Sequence, residues 1–170
     1  MRLLLLVLVV ACTPAEEGET DALGECDHTG LATASEEFTF VTGYDVVVYG
    51  ATTAETPYDG LNLELYLGLG APSEPGTHSF TGETYADCHT CLTLARACTT
   101  TSDCAQDFLA DSGTLTLTAF DPEDGGSFAG HLSDVRLVEV EIDEATWDST
   151  VVPGGEVWCL EEHAFSGVLQ

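Results

Sequence analysis

The residues best placed by type and spacing to do chemistry are the cysteines around Cys88-His89-Thr90-Cys91. Two thiols three positions apart are redox active where the fold lowers the pKa of one of them. A helix N-terminus commonly does this, but no strand–helix–strand pattern surrounds this pair and no helix start follows it. With His89, Cys98 and Cys104 the same thiols hold enough donors for tetrahedral zinc. Structural zinc sites favour a second pair at matched spacing, whereas six residues separate Cys91 from Cys98 and five separate Cys98 from Cys104. Plain disulfides in an exported loop are the remaining reading, and compartment favours them.

Carboxylates are the second resource. Asp121, Glu123 and Asp124 crowd the turn Asp121-Pro122-Glu123-Asp124-Gly125-Gly126, and Ca²⁺ takes several oxygens in flexible geometry. The run lacks the spaced acids and distal Glu of an EF-hand loop, so a solvated hairpin turn explains it without metal, and calcium is the weaker alternative. Asp143-Glu144 and Glu161-Glu162 are weaker still. With 30 acids no single pair stands out for glycoside chemistry. His28, His78, His89, His131 and His163 show no metal-ligand spacing, and no serine lies in a nucleophile turn or phosphate-cradling loop. Trp158, beside Cys159, is expected to pack on a core disulfide. Trp147 lies in a loop, where an exposed ring stacks on a sugar and a covered one packs the core; core packing is the expectation.

The elements that must position these residues are strands. Leu61, Leu63, Leu65 and Leu67 recur with a period of two in LNLELYLGL, the pattern of a half-buried pleat. EFTFVT, YDVVVYG, CLTLARA, GTLTLTAF, SFAGHLS, DVRLVEVEI and EVWCLEE follow it to varying degrees, rich in Thr, Val, Tyr and Phe. TPYDG, GAPSEPG, DSG, DPEDGG and VPGG are turn chemistry. SDCAQDFLAD fits a short capped helix or a strand running into the DSG turn; the strand is the expectation. The reading is all-β: an antiparallel β-sandwich, jelly-roll or immunoglobulin-like, stapled by disulfides, with a β-barrel as alternative.

The first twelve residues, MRLLLLVLVVAC, combine one Arg, nine apolar residues from Leu3 to Ala11, and Cys12. The run is too short to span a bilayer and suits a secretory leader. Val9-Val10-Ala11-Cys12 resembles the lipobox of bacterial lipoproteins. That resemblance implies cleavage after Ala11, acyl chains on Cys12, and, with Thr13 rather than Asp following, an outer-membrane address facing the periplasm or the cell surface. The expected organisation is a signal peptide over 1–11, a lipidated acidic tether over 12–25, and one β-sandwich domain over 26–170.

Excluding Cys12, six cysteines remain: Cys26, Cys88, Cys91, Cys98, Cys104 and Cys159. An even set in an exported domain reads as a disulfide framework. Cys98 with Cys104 closes a local loop most simply. Cys26 with Cys159 is an attractive long staple, although Cys88 and Cys91 compete for either.

The net charge is −27 with no Lys, and Arg96 and Arg136 are the only cations beyond the leader. Such a chain repels nucleic acid and anionic lipid, so its membrane contact must be the N-terminal lipid. An apolar fraction of 44% still suffices for a core. The stretch GTLTLTAFDPEDGGSFAGHLSDVRLVEVEI, followed by VPGGEVWCL, loosely resembles the C-terminal half of uncharacterised β-rich bacterial surface lipoproteins, over about residues 85–160, which implies no known activity. The functional expectation is a lipid-anchored envelope protein with a non-catalytic binding or structural role and no required cofactor. The alternatives are a calcium- or carbohydrate-binding adhesion module and a thiol-redox or hydrolytic enzyme. A surface protein or glycan is the expected kind of partner.

Overall fold

The structure, a computed structural model, describes residues 25–101 and 103–170. The expected signal peptide, Cys12 and all of the expected tether but Glu25 lie outside the described residues. The described chain is all-β. Its strands are β1 (His28–Thr29), β2 (Ser35–Val41), β3 (Val46–Thr52), β4 (Tyr58–Tyr66), β5 (Gly76–Ser79), β6 (Thr90–Cys98), β7 (Gln106–Phe120), β8 (Ser127–Ile142), β9 (Ser149–Val151) and β10 (Val157–Val168), with one 3₁₀ turn at Leu67–Leu69. All ten join one sheet in the order β1-β10-β8-β7-β6-β4-β3-β2, with β5 on β7 and β9 on β8. The sheet is mixed, because β1 runs parallel to β10, and it does not close into a barrel.

The period-two pattern does what a pleat requires. Val47, Tyr49 and Ala51 of β3, and Leu61, Leu63 and Leu65 of β4, point into the core. Leu67 lies beyond the strand, in the 3₁₀ turn, and packs against the same core from its edge. The sheet folds over on itself, so that strands distant in the order meet face to face. Phe38 and Tyr49 touch Phe128 and Phe165, with Tyr49 stacked on Phe165 at 4.7 Å between ring centres. Phe40 N donates to Gln170 O at 3.0 Å, and Gln170 N donates to Phe38 O at 3.1 Å, which ties the chain end to β2.

The fold-over is made inside two long strands. Ser112-Gly113 reads as a turn in the sequence, but it is a bulge within the single strand β7, and Asp134 is its counterpart in β8. Across the bulge the inward positions change phase, from Phe108 and Ala110 to Leu115 and Leu117 in β7. A bulge bends a strand and shifts its facing residues without ending it. Gly113 has φ +123°, and a Cβ there would lie 2.6 Å from Val135 Cα, so only glycine lets the two strands cross so closely. SFAGHLS and DVRLVEVEI are likewise one strand, β8. SDCAQDFLAD contributes the first half of β7, as a strand and not a helix.

The disulfides are Cys26–Cys159, Cys88–Cys91 and Cys98–Cys104. The first staples the N-terminal edge of the domain to β10. Trp158 is in the core, but its ring contacts are His28 and Phe108. Cys159, next along the strand, alternates to the opposite face, so Trp158 does not pack on the disulfide as expected.

Candidate functional site

The motifs that carried the chemical alternatives do not converge. Among the described residues no group of three or more His, Cys, Asp or Glu side chains is arranged to hold a metal. Cys88, Cys91, Cys98 and Cys104 are paired in two separate disulfides, which leaves no zinc cage. Asp121, Glu123 and Asp124 are exposed in the β7–β8 turn, which satisfies itself: Asp121 N donates to Ser127 O at 2.9 Å and Gly126 N to Glu123 O at 2.8 Å. His131 stands on β8, partly buried.

A catalytic-looking chain joins Glu36, Tyr49 and His163. The Tyr49 hydroxyl donates to Glu36 Oε1 at 2.7 Å, and His163 Nε2 lies 2.8 Å from the same hydroxyl oxygen. With the phenol proton given to Glu36, His163 Nε2–H is the donor to Tyr49. Burial pushes the His163 pKa down, against the upward pull of Glu36. Tyr49 is wholly buried and His163 nearly so, so the two groups that could exchange a proton are closed to a substrate. The three residues link β2, β3 and β10, with Tyr49 and His163 buried and Glu36 exposed at the surface, where it lines a hollow over β2 and β3.

The open site lies on the outer face of β3 and β4. Since Leu61, Leu63 and Leu65 point inward, Asn62, Glu64 and Tyr66 must point outward. Register sets Val46 beside Tyr66 and Val48 beside Glu64, with Cys91 of β6 on the other side of Glu64. A cleft of about 510 Å³ lies over Val46, Val48, Glu64 and Tyr66, bounded by Tyr44 and Leu69. A second hollow of about 310 Å³, lined by Tyr85, Cys88 and Trp147, shares Tyr66 and Leu69 with the first. Tyr44 is 81% exposed, Leu69 61% and Trp147 57%. Trp147 is therefore not a core residue, contrary to the expectation.

Local chemistry holds these rings in place. Tyr44 sits in the tight β2–β3 turn, its N donating to Val41 O at 3.0 Å. Tyr85 precedes the Cys88–Cys91 disulfide, which closes its loop onto β6, and Tyr85 N donates to Ser149 Oγ at 2.9 Å. That bond ties the Tyr85 loop to β9, next to the loop of Trp147. Asp143 builds that second loop: its Oδ1 accepts from Ala145 N at 2.8 Å and Thr146 N at 3.0 Å, and its carbonyl accepts from Trp147 N at 2.7 Å. These amides hold the Asp143 carboxyl below its usual pKa range. Trp147 itself has φ +62°, a left-handed conformation that bulky residues seldom adopt and that surrounding structure must enforce. The Tyr85 and Trp147 rings meet edge-on, 6.2 Å apart, as two walls of a corner.

Glu64 organises the phenols. Tyr66 donates to its Oε2 at 2.7 Å, and Tyr85 donates to Oε2 at 3.0 Å and Oε1 at 3.3 Å. Burial, then the Glu64 charge, pushes the Tyr85 hydroxyl up to about 12. Burial and the hydrogen bond to Glu64 push Tyr66 higher still. Both phenols are thus held neutral with their protons committed to Glu64.

No family model, no curated protein and no solved structure matches this chain. Of the cleft residues, the sequence draws attention to Trp147 and Cys88 alone. Glu64 and Tyr66 carried a usable signal, an acid and an aromatic two apart on the polar face of a strand. Tyr44 and Tyr85 carried none, since nothing local to a loop says which side chains across the sheet it will meet.

Proposed function

We propose that this chain is a lipid-anchored binding protein of the bacterial cell envelope, without a catalytic role, and that its binding site is the aromatic cleft about Glu64. The observation that carries the reading is Trp147. A large ring left in water gains nothing from folding, and this one is held out in a left-handed backbone conformation by the Asx turn of Asp143. Exposed apolar surface with polar groups beside it marks interaction sites. Aromatic residues are also the commonest energetic anchors of such sites. The anchor rests on the sequence Val9-Val10-Ala11-Cys12, and lipidation there suits a chain too acidic to lie on an anionic membrane by charge.

Two measurements test the proposal. The intact mass of the membrane-purified protein should match residues 12–170 plus acyl chains; a lipid-free mass sinks the anchor. Detergent-solubilised wild type should be retained on washed cell envelopes at physiological salt, and Trp147→Ala should lose most of that retention. Equal retention of the two removes the cleft as the site.

A second reading, glycan binding, is favoured by the same sheet face farther along β3 and β4. There Gly50 pairs with Asn62 and Asn62 with Thr93. A shallow hollow of about 660 Å³ over these residues offers the hydroxyl and amide groups that sugars use.

A further inference from the structure

We infer that the cleft is built for an organic cation, an alkylammonium group on an apolar body, with Glu64 as its counter-ion and the rings of Tyr44, Tyr66, Tyr85 and Trp147 as its walls. This rests on the cleft being a binding site, as proposed above, and names the chemical class of its ligand.

Among the described residues Glu64 has no cation partner. The ion pairs among them are His28 and Arg96 with Glu156, and Arg136 with Asp111. That uses both arginines beyond the leader, and the chain has no Lys. Glu64 is partnered by phenol hydroxyls alone, which fix its orientation but leave its negative charge uncancelled.

Donor chemistry narrows the ligand class. The Tyr66 and Tyr85 phenol protons are given to Glu64, which leaves the Tyr44 hydroxyl and the Trp147 indole N–H, both uncharged, as the side-chain donors of the two hollows. Neither hollow is lined by Arg, Lys, His, Asn or Gln. A phosphate, carboxylate or sulfate would therefore meet the Glu64 carboxylate and π-faces with no cation in the lining to offset them. A sugar needs several donors as well as acceptors, and the lining offers only the Tyr44 hydroxyl and the Trp147 indole N–H, with no amide or guanidinium side chain. An ammonium group supplies the missing charge, and its carbon substituents lie against Val46, Val48 and Leu69. Ring faces attract cations through their quadrupoles, Trp most of all. A formal net charge of −27 raises the local concentration of any cation over the whole surface, so a true site must be distinguished from that background.

The probe is choline, with its uncharged tert-butyl analogue dimethylbutanol as control. Both are titrated into the detergent-solubilised full-length protein in physiological salt, followed by calorimetry and tryptophan fluorescence. The expected result is saturable choline binding, at least about tenfold tighter than dimethylbutanol, the size of one well-placed cation–π contact. Glu64→Gln should weaken choline by at least about tenfold while leaving dimethylbutanol unchanged. Trp147→Ala, an exposed position whose replacement spares the core, should weaken choline as well. Glu74→Gln, an exposed acid outside both hollows, should leave it unchanged and so measures the background. Equal affinities for choline and dimethylbutanol would overturn the cation inference and leave an apolar binding cleft standing. Saturable binding of a neutral oligosaccharide, lost in Trp147→Ala and with no choline response, would overturn it in favour of a glycan. Choline binding that Glu64→Gln, Trp147→Ala and Glu74→Gln all leave alike would show only the diffuse surface field and overturn it too. No response to any probe, together with envelope retention indifferent to Trp147→Ala, would overturn both the inference and the binding reading beneath it.

Discussion

Glu64 and Glu156 are both partly exposed glutamates on this sheet, and both collect several hydrogen bonds. Glu156 Oε2 receives His28 Nε2 at 2.8 Å, Arg96 Nη1 at 2.5 Å and Gln106 Nε2 at 3.3 Å. His28 above all, with help from Gln106 and Arg96, lowers its pKa. Glu156 immediately precedes β10, beside the edge where β1 joins it and Cys26 is bonded to Cys159. The Glu156 charge is answered from within the chain by His28 and Arg96. At the Glu64 end the partners are neutral phenols, the rings stand open and no cation arrives. A carboxylate that completes its own electrostatics holds a structure together, whereas one left uncancelled among ring faces is prepared for something from outside. The chain has so few cations that where it places them separates the two roles.

The contrast can be broken or sharpened by experiment. The largest effect belongs to the stapled end. Replacing Cys26 and Cys159 by Ala opens a loop spanning 133 positions, which the chain-entropy model puts at about 5 kcal/mol of stability. Urea unfolding should show a loss of that order with Trp147 fluorescence of the folded state unchanged. A loss no greater than that from opening the short Cys98–Cys104 loop, about 2 kcal/mol on the same model, would mean the long staple does not govern stability.

Next in size is the pair of isosteric changes Glu156→Gln and Glu64→Gln. Thermal melts should show the first lowering Tm, since Arg96 and His28 lose their anion. The second should leave Tm unchanged or raise it, because it removes an uncancelled charge. The second should also let Tyr85 ionise closer to the ordinary tyrosine range, read by ultraviolet absorbance on raising the pH. A greater fall in Tm for Glu64→Gln than for Glu156→Gln would reverse the assignment of roles.

A smaller effect lies in the core between the two ends. His163 has its pKa lowered by burial, so the folded state favours the neutral ring. Its contribution is present above the unfolded-state value, about 6.5, and is lost as pH falls below it. Between pH 7 and pH 5 the wild type should therefore lose Tm relative to His163→Gln. Parallel Tm-against-pH curves for the two proteins would remove His163 as the cause.

The smallest effect is confined to one loop. Asp143→Ala removes the acceptor of two backbone amides while leaving the core untouched. Tm should hold, Trp147 fluorescence anisotropy should fall, and envelope retention should weaken. The same loosening should occur in the wild type as pH drops through the lowered Asp143 value, because a carboxylate with a depressed pKa stabilises only while ionised. Unchanged anisotropy in the variant would mean that the left-handed Trp147 is held by something other than this turn.

How much of this was legible beforehand depended on how local the determining physics was. LNLELYL could be read as a strand with its leucines on one face because alternation needs no partner to be recognised, although the last of the four, Leu67, falls in the 3₁₀ turn beyond it. Cys98 and Cys104 could be paired because a short loop closes cheaply. The DSG stretch could not be read: Ser and Gly favour turns, and that Gly113 serves as a bulge follows only from Val135 standing against it. The CHTC cysteines could be read as disulfide-bonded from their exported context, but not as joined to each other in a bond that closes the loop carrying Tyr85.

By itself, then, the sequence determined an all-β, disulfide-bonded domain with an acidic surface, because pleat periodicity, turn chemistry and net charge are properties of neighbouring residues and of sums. Only the tertiary structure decided where the sheet folds over, which partners Cys26, Cys88, Cys91 and Cys159 take, and that Tyr66 and Tyr85 meet at Glu64 with Tyr44 and Trp147 lining the two hollows beside it. Those five come from the β2–β3 turn, β4, the loop before β6 and the loop after β8. Their meeting is fixed by strand order and register, which depend on long-range packing across the whole sheet.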